Sequence, residues 1–375
     1  MESDQHCCPH RDCSDCGKFG KGNIHIHSQK EQRFRCKTCK RTFSATYGTP
    51  LYRRQYTVSF IACIITLLAF GCPLAAIVQA FSLDPRTVKS WWRSSGEHCK
   101  LVHEATILGS RMDLVHVQLD EIRPGGEPHK IQGSVIWIAM VLVVPTRLWL
   151  GAVISVSRNK ALITELVSMV KQTALARPLL ICFDGLKTYI KACQKAFRVA
   201  IPNGKVGRNP LIAWPNICLG GAPKRQIIKQ YAKRKVTGVK RVIIQGTIPM
   251  VNQLIHISQN ATGVLNTAFI ERLNATFRSR LALLTRRTKH LARKTETITQ
   301  AIYLVGCVYN FCTFHHALRK PFYVVGLNQT KKRWAKQTPA MAAGITKHKW
   351  TVLELLKFKI SPPELNKINY IVSTV

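Results

Sequence analysis

Apolar and polar side chains alternate between residues 115 and 122, and a period of two predicts a β-strand with one buried face. Asp120 lies near the end of this strand. A second predicted strand, residues 179–184, is mostly apolar and ends at Asp184. A side chain at the end of a strand is held rigidly and can project over a cleft. The two aspartates are therefore candidate functional residues.

The elements around these strands follow a recognisable order. Strands are predicted at 134–144 and 147–155, and helices at 159–176 and from 185 to about 198. Three strands, a helix, a strand and a helix are the order expected of a ribonuclease-H-like core. The predicted fold class is therefore α/β. In that topology the first and fourth strands are neighbours, which would bring Asp120 and Asp184 together.

Upstream of the core, the pattern predicts two helices joined by a turn at 82–85, with Asp84 as the N-cap of the second helix. This arrangement is typical of a helix-turn-helix. Val88 and either Trp91 or Trp92 should pack inward. The side chains predicted to face the DNA major groove are Arg86, Thr87, Lys89, Ser90 and Arg93.

Residues 55–83 carry no charge, and the run is long enough to cross a bilayer. We nevertheless expect no membrane helix. Gly71-Cys72-Pro73 interrupts the run, and the helix-turn-helix pattern begins there. Burial in a protein core is the better explanation.

The net charge of the chain indicates what kind of partner it binds. The 375 residues include 56 Lys and Arg against 18 Asp and Glu, a formal net charge of +38 that is spread along the chain. Neutralisation of phosphates by such an excess is the usual source of affinity for nucleic acid. The simpler alternative is an unusually basic protein, such as a ribosomal one.

The cysteines indicate a metal site in a reducing compartment. Six of the 14 cysteines lie in the first 39 residues. Two cysteine pairs about twenty residues apart can place four thiolates around Zn²⁺. The second pair is Cys36 and Cys39. The first pair is ambiguous, and its candidates are Cys7, Cys8, His10, Cys13 and Cys16. We expect a structural zinc ribbon that folds on its metal.

A third carboxylate follows from the charge pattern. No Asp or Glu lies between Asp184 and Glu271, whereas 14 Lys and Arg do. Glu271 lies on a predicted helix, beside an apolar stripe and close to Asn274. The stripe comprises Ile270, Leu273, Phe277, Leu281 and Leu284. The alternative role for Glu271 is a surface salt bridge.

Three close carboxylates repel one another unless cations neutralise them. Two Mg²⁺ or Mn²⁺ ions suit such oxygen ligands, and they could activate a water or a 3′-hydroxyl in phosphoryl transfer. We therefore predict that Asp120, Asp184 and Glu271 bind divalent metal and cut DNA. Glu121 ranks lower as a fourth ligand, because alternation turns it away from Asp120.

Basic stretches flank these acids. Residues 199–263 are rich in β-formers and cations, and we expect a β-rich insertion that grips the DNA backbone. The cations predicted to contact phosphate near Glu271 are Arg278, Arg280, Arg286 and Arg287.

Together these motifs resemble the DDE transposases of the insertion-sequence-one family. The resemblance covers nearly the whole chain. It rests on Cys-Pro-x-x-x-Cys from Cys8, Phe-Arg-Cys-x-x-Cys from Phe34, Gln-Leu-Asp-Glu from Gln118, Ile-Glu-Arg-Leu-Asn from Ile270, Thr-Arg-Arg-Thr from Thr285 and Tyr-Asn-Phe-Cys from Tyr309. It implies the catalytic triad Asp120, Asp184 and Glu271. It also implies the zinc ligands Cys8, Cys13, Cys36 and Cys39.

The resulting expectation is a transposase that cleaves and joins double-stranded DNA at its element ends and target. We expect a homodimer or higher oligomer on DNA, in the cytoplasm with the nucleoid. The alternatives are a DNA-binding regulator with a non-catalytic core and a ribonuclease-H-like nuclease. The expected domains are a zinc ribbon (1–56), a helix-turn-helix (57–108), the catalytic core (109–297) with its insertion (about 199–263) and a C-terminal helical region (298–375).

Overall fold

The computed structural model describes residues 3–124, 130–131, 134–201, 211–214, 216–223, 231–232, 235–236, 242–259, 263–285, 294–325 and 330–360. The chain divides into two compact units. The first comprises Met1–Gly109, Thr299–Cys312 and Lys349–Val375, and the second comprises Ser110–Ile298 and Thr313–His348.

The strands and helices of the described residues are numbered in chain order. The strands are β1 (Ile24–Ser28), β2 (Arg33–Cys36), β3 (Thr42–Ser44), β4 (His116–Ile122), β5 (Lys130–Ile131), β6 (Ser134–Val135), β7 (Trp137–Val143), β8 (Leu148–Ser155), β9 (Leu179–Gly185), β10 (Val199–Ile201), β11 (Leu211–Ala213), β12 (Ile217–Pro223), β13 (Tyr231–Ala232), β14 (Lys235–Val236), β15 (Val242–Gln245), β16 (Lys320–Val325) and β17 (Thr330–Ala335). The α-helices are α1 (Val58–Ala69), α2 (Leu74–Phe81), α3 (Pro85–His103), α4 (Lys160–Thr173), α5 (Lys187–Phe197), α6 (Ile248–Gln259), α7 (Ala268–Arg280), α8 (Thr295–Cys307), α9 (Pro339–Ala342) and α10 (Val352–Lys357).

The first unit begins with a three-stranded antiparallel sheet in the order β1-β2-β3. Phe34 and Phe43 stack at its centre, with ring centroids 6.0 Å apart. Cysteine side chains pack against the same small core. A sheet this small buries little apolar surface, so it needs a further source of stability such as a metal.

Helices α1, α2, α3 and α10 pack against one another in the first unit, which also contains most of α8. Asp84 caps α3 by accepting from the backbone N–H of Arg86 (2.7 Å) and Thr87 (3.1 Å), as the sequence predicted. Gly96 lets α8 approach α3, because a Cβ there would lie 2.5 Å from the carbonyl oxygen of Gln300. Among the described residues, no helix combines the length and apolar character that a membrane span requires.

The second unit is built on a six-stranded mixed sheet in the order β15-β12-β9-β4-β7-β8. The strand β7 runs antiparallel to both of its neighbours, β4 and β8, whereas β9 is parallel to β4, and β12 is parallel to β9. The final strand, β15, runs antiparallel to β12. This mixed α/β architecture, with its first and fourth core strands side by side, is consistent with a ribonuclease-H-like core.

The segment predicted to be a β-rich insertion contributes to the central sheet. Both β12 and β15 belong to that sheet, and α6 ends the segment. Ile217, Cys218 and Leu219 are fully buried within the sheet, which accounts for the apolar run at that point. Much of the basic part of this segment, residues 224–230, 233–234 and 237–241, lies outside the described residues.

The C-terminal region also contains more than the predicted helices. The strands β16 and β17 form an antiparallel hairpin in the second unit, which the sequence pattern did not predict. Helix α7 is shorter than its apolar stripe suggests. It ends at Arg280, and residues 282–284 form a separate 3₁₀ turn that buries Leu284.

Candidate active site and metal centre

Strand pairing brings Asp120 and Asp184 to neighbouring positions. The parallel strands β4 and β9 pair from His116 with Leu180 to Leu119 with Phe183, and the aspartates are the next residue on each strand. Paired residues of parallel strands project from the same face. Both carboxylates therefore lie on one face of the sheet, with Asp120 half-buried and Asp184 exposed.

A strand with only one buried face should expose its polar face to solvent. In β4, however, the polar face is also buried. His116 and Gln118 are fully buried, as are Val117 and Leu119 on the opposite face. The His116 Nδ1 lies 2.9 Å from the Ser258 hydroxyl of α6. Helices α6 and α7 contact β4, and His116 and Gln118 make hydrogen bonds to protein instead of water.

Gln118 connects the strand of Asp120 to the helix of Glu271. Its Oε1 accepts from the backbone N–H groups of Phe269 and Ile270, both at 3.0 Å. Its Nε2 donates to the carbonyl oxygen of Asn266 at 2.7 Å. The first N–H groups of a helix have no acceptor within the helix. Gln118 thus caps α7 from the neighbouring strand.

The sequence pattern alone assigned no role to His116 or Gln118. The signal that could have found them was the alternation itself, since it places both residues on the same face of β4 as Asp120.

Helix α7 contributes two side chains to the aspartate site. Glu271 and Asn274 are three residues apart and so share a helix face. Asn274 is 1% exposed, and its Nδ2 donates to Asp120 Oδ2 at 2.7 Å. Glu271 lies at the exposed rim, where its Oε1 accepts from the Thr267 hydroxyl at 2.8 Å. The Asn274 Oδ1 is buried and has no hydrogen-bond partner among the described residues.

The electrostatics of the site favour cation binding. Burial raises the pKa of Asp120 to about 6, and the negative charges of Glu121, Asp184 and Glu271 add to that increase. The backbone N–H of Glu121 opposes it by donating to Asp120 Oδ1 at 2.8 Å. Carboxylate oxygens are suitable ligands for Mg²⁺ or Mn²⁺, which would relieve this repulsion. Within the described residues, however, the three carboxylates do not form a compact three-ligand group.

Glu121 projects from the opposite face of β4. Its Oε2 accepts from Arg158 Nε at 2.9 Å, and its neighbours include Tyr189 of α5. Burial raises the pKa of Tyr189, and the charge of Glu121 raises it further. The ion pair with Arg158 accounts for Glu121 without a role as a metal ligand.

The cysteines form a compact group in the first unit. The Sγ atoms of Cys8, Cys13, Cys36 and Cys39 all lie within 4.8 Å of one another. Cys8 and Cys39 are 3.7 Å apart, and Cys13 and Cys36 are 3.9 Å apart. Four sulfurs at tetrahedral Zn–S distances would be about 3.8 Å apart. The geometry and the soft thiolate donors therefore fit Zn²⁺, while Cys16 only packs against the group.

Local backbone turns bring these cysteines together. The N–H of Lys40 donates to the Cys36 carbonyl at 2.9 Å, and Lys40 adopts φ +61° just after Cys39. In the other loop, the N–H of Gly17 donates to the Cys8 carbonyl at 2.9 Å. Burial raises the pKa of Cys36, but N–H groups of Cys39 and Thr38 and the neighbouring thiols outweigh it and lower this pKa to about 7. These contacts therefore favour the thiolate form of Cys36, which is the form that binds a metal.

The predicted DNA-facing residues differ in exposure. On α3, Thr87 is half-buried, while Val88 and Trp91 pack inward. The exposed side chains of this helix include Arg86, Lys89, Ser90 and Arg93. Arg278 and Arg280 are half-buried on α7, and Arg286 and Arg287 lie outside the described residues.

No protein-family model matches the chain, and no curated protein matches it. Among solved structures, it is similar to a piggyBac transposase in a synaptic complex with hairpin DNA. That similarity has 9% sequence identity and a TM-score of 0.33, and it covers 70% of this chain and 69% of the other. A likeness this remote adds nothing to the site, whose interpretation depends on its own residues.

Proposed function

We propose that the protein is a DDE transposase of the insertion-sequence-one type, a metal-dependent enzyme that cleaves DNA and joins the strands. The observation that carries this proposal is the convergence of β4, β9 and α7. Strand pairing supports the closeness of Asp120 and Asp184. The Asn274–Asp120 hydrogen bond and the Gln118 cap support the placement of Glu271 beside them.

In this proposal Asp120, Asp184 and Glu271 hold Mg²⁺ or Mn²⁺. When bound, a pair of such ions supplies an activated water or 3′-hydroxyl and stabilises the leaving oxygen. Asn274 donates to one oxygen of Asp120 and the Glu121 N–H donates to the other, so these two hydrogen bonds orient the carboxylate. Gln118 fixes the start of α7, so that Glu271 keeps its position at the rim.

The first unit would bind the DNA. A zinc ribbon over residues 1–56 would be stabilised by Cys8, Cys13, Cys36 and Cys39. Four protein thiolates leave no open coordination position, so this metal would be structural. A helix-turn-helix at 57–108 would present the exposed face of α3 to the major groove. The net charge of +38 supports affinity for phosphate.

Strand transfer by the purified full-length protein tests the proposal. The substrate is a duplex carrying the inverted repeats that we expect beside the gene, incubated with Mg²⁺ or Mn²⁺. Asp184→Asn should reduce joined product by at least about a thousandfold, in line with losses of essential catalytic groups. Asp113→Asn is the matched control, since Asp113 lies outside the site in an exposed ion pair with Arg177.

The same assay separates the alternatives. Equal product from the wild type and Asp184→Asn would refute the enzyme and leave a DNA-binding regulator. Hydrolysed ends without joined strands would identify a ribonuclease-H-like nuclease. Sedimentation of the protein with its end DNA tests the expected dimer or higher oligomer.

A further inference from the structure

The β16–β17 hairpin is a two-stranded ribbon with both faces exposed. Its pairing runs from Lys320 with Ala335 to Val325 with Thr330. On one face, Tyr323 is 64% exposed and pairs with Lys332; on the other, Phe322 is 45% exposed and pairs with Arg333. An isolated two-stranded ribbon has little stability of its own in water. Exposed aromatic side chains on both faces indicate that the hairpin binds a partner.

The charge of the hairpin indicates the chemistry of that partner. No Asp or Glu occurs between Glu296 and Glu354. Exposed cations of the hairpin and its base include Arg319, Lys320, Lys332 and Arg333. Within the described residues, none of the ion pairs involves these four cations. A segment with cations on both faces and no acid is complementary to a polyanion.

Aromatic rings hold some of these cations in place. The guanidinium of Arg319 lies 4.1 Å from the centroid of the Trp334 ring, and the ammonium of Lys332 lies 5.0 Å from it. A cation over an aromatic ring keeps its hydrogen-bond donors for another acceptor. Trp334 therefore orders two cations, and this use of the ring disfavours stacking on an unpaired base.

We propose that the β16–β17 hairpin is a further DNA-binding element that enters the major groove of duplex DNA. The strands of a pair are about 4.8 Å apart, and the major groove, about 12 Å wide, admits a two-stranded ribbon. The groove has a phosphate strand on each side, and the long Lys and Arg side chains of a ribbon in the groove can reach these phosphates. The proposal rests on the proposed action on DNA, but it assigns a contact outside α3 and the carboxylate site.

Salt-dependent binding of the full-length protein to a duplex tests the proposal. The variant replaces Arg319, Lys320, Lys332 and Arg333 with Gln. Loss of four phosphate contacts should reduce the slope of log K against log salt concentration by about 3.6. The control variant removes the same charge from exposed positions on and beside α4 and α5, namely Lys160, Lys191, Lys195 and Arg198. An equal change in both variants overturns the proposal, because general charge would then explain the binding.

A photocrosslinking amino acid at Tyr323 tests the location without removing any cation. We expect crosslinks to duplex DNA from position 323 and few from the same probe at position 191. Crosslinks to a second copy of the chain, or a preference for single-stranded DNA or RNA, overturn the proposal. Circular dichroism of each variant confirms that the fold is retained.

Binding is measured without divalent metal and repeated with the Asp184→Asn protein, so that the outcome does not depend on catalysis. If Asp184→Asn retains strand transfer, the proposed enzyme fails while the hairpin result stands. If the hairpin variants bind as the wild type does, the hairpin proposal fails while the enzyme result stands.

Discussion

The cysteine group and the carboxylate group are both candidate metal centres, but they are built in opposite ways. The cysteines come from two loops within the first 39 residues, where backbone turns set their spacing. The carboxylates come from two strands and a helix, and Asp120 and Glu271 are separated by about 150 residues of chain. The first centre therefore forms with local structure, whereas the second exists only when the whole sheet and α7 have assembled.

The two groups also differ in whether they leave space for a substrate at the metal. The four thiols fill a tetrahedral site by themselves, and the geometry leaves no position for a substrate. The carboxylates lie at the end of two strands, with Asp184 and Glu271 exposed. Burial raises the pKa of Asp120 to about 6, and the charges of Asp184 and Glu271 add to this increase. A closed site with soft thiolate ligands suits a structural metal, whereas an open site with hard oxygen ligands suits a catalytic metal.

Removal of a cysteine ligand should have the largest effect. Cys39→Ser should abolish zinc binding and unfold the small sheet, because structural zinc contributes about 10–16 kcal/mol to such domains. The zinc content per chain measures the loss of the metal, and hydrogen exchange over β1 to β3 measures the unfolding of the sheet. Cys16→Ser is the control, since Cys16 packs against the group without belonging to it. Zinc loss in Cys16→Ser, with retention in Cys39→Ser, would assign the ligands differently.

Removal of the Gln118 cap should have an intermediate effect, confined to the second unit. Gln118→Met keeps a similar volume but leaves the Phe269 and Ile270 N–H groups without their acceptor. Each buried unpaired group costs roughly 1–3 kcal/mol, so the two unpaired N–H groups should lower the unfolding free energy by about 2–6 kcal/mol. Strand transfer should fall with it, and bound zinc should stay constant. Gln253→Met, on the exposed face of α6, is the control, and an equal loss there would contradict the capping role.

Neutralisation of Asp120 should have the smallest effect, and a stabilising one. The pKa of Asp120 is raised to about 6 in the fold, so the folded state favours the protonated carboxyl. That stability is present below the unfolded pKa of about 3.9 and is lost as the pH rises through 6. Without divalent metal, Asp120→Asn should therefore be more stable than the wild type at pH 7, by roughly 1–3 kcal/mol.

Chemical denaturation at pH 4 to 7 measures this difference, which should grow with pH. Comparing the two proteins at each pH matters, because His116 also titrates. Burial lowers the pKa of His116 to about 3, so the fold of both proteins weakens as the pH falls below the ordinary histidine range. Mg²⁺ should stabilise the wild type more than Asp120→Asn. An Asp120→Asn protein less stable than the wild type at pH 7 would contradict the conclusion that the fold disfavours the ionised Asp120 carboxylate.

The periodic parts of the chain were predictable. Alternation located β4, the Asp84 cap marked the start of α3, helical periodicity located α4, and the order of elements indicated an α/β core. The segment at 199–263 was harder, because a buried central strand and a strand of an insertion are both short apolar runs. The β16–β17 hairpin was missed since its exposed strands lack a clean alternation of apolar and polar residues.

The sequence by itself determined the chemistry available: a surplus of cations, four cysteines at metal-binding spacing, and acids at two strand ends and on one helix. These are properties of residue type and local spacing, which the linear order contains. Only the tertiary structure decided that Gln118 caps α7, that Asn274 donates to Asp120 and that Glu121 pairs with Arg158. Those contacts join residues that are far apart in the chain. Their distances are set by strand pairing and helix packing, and no local sequence pattern predicts these.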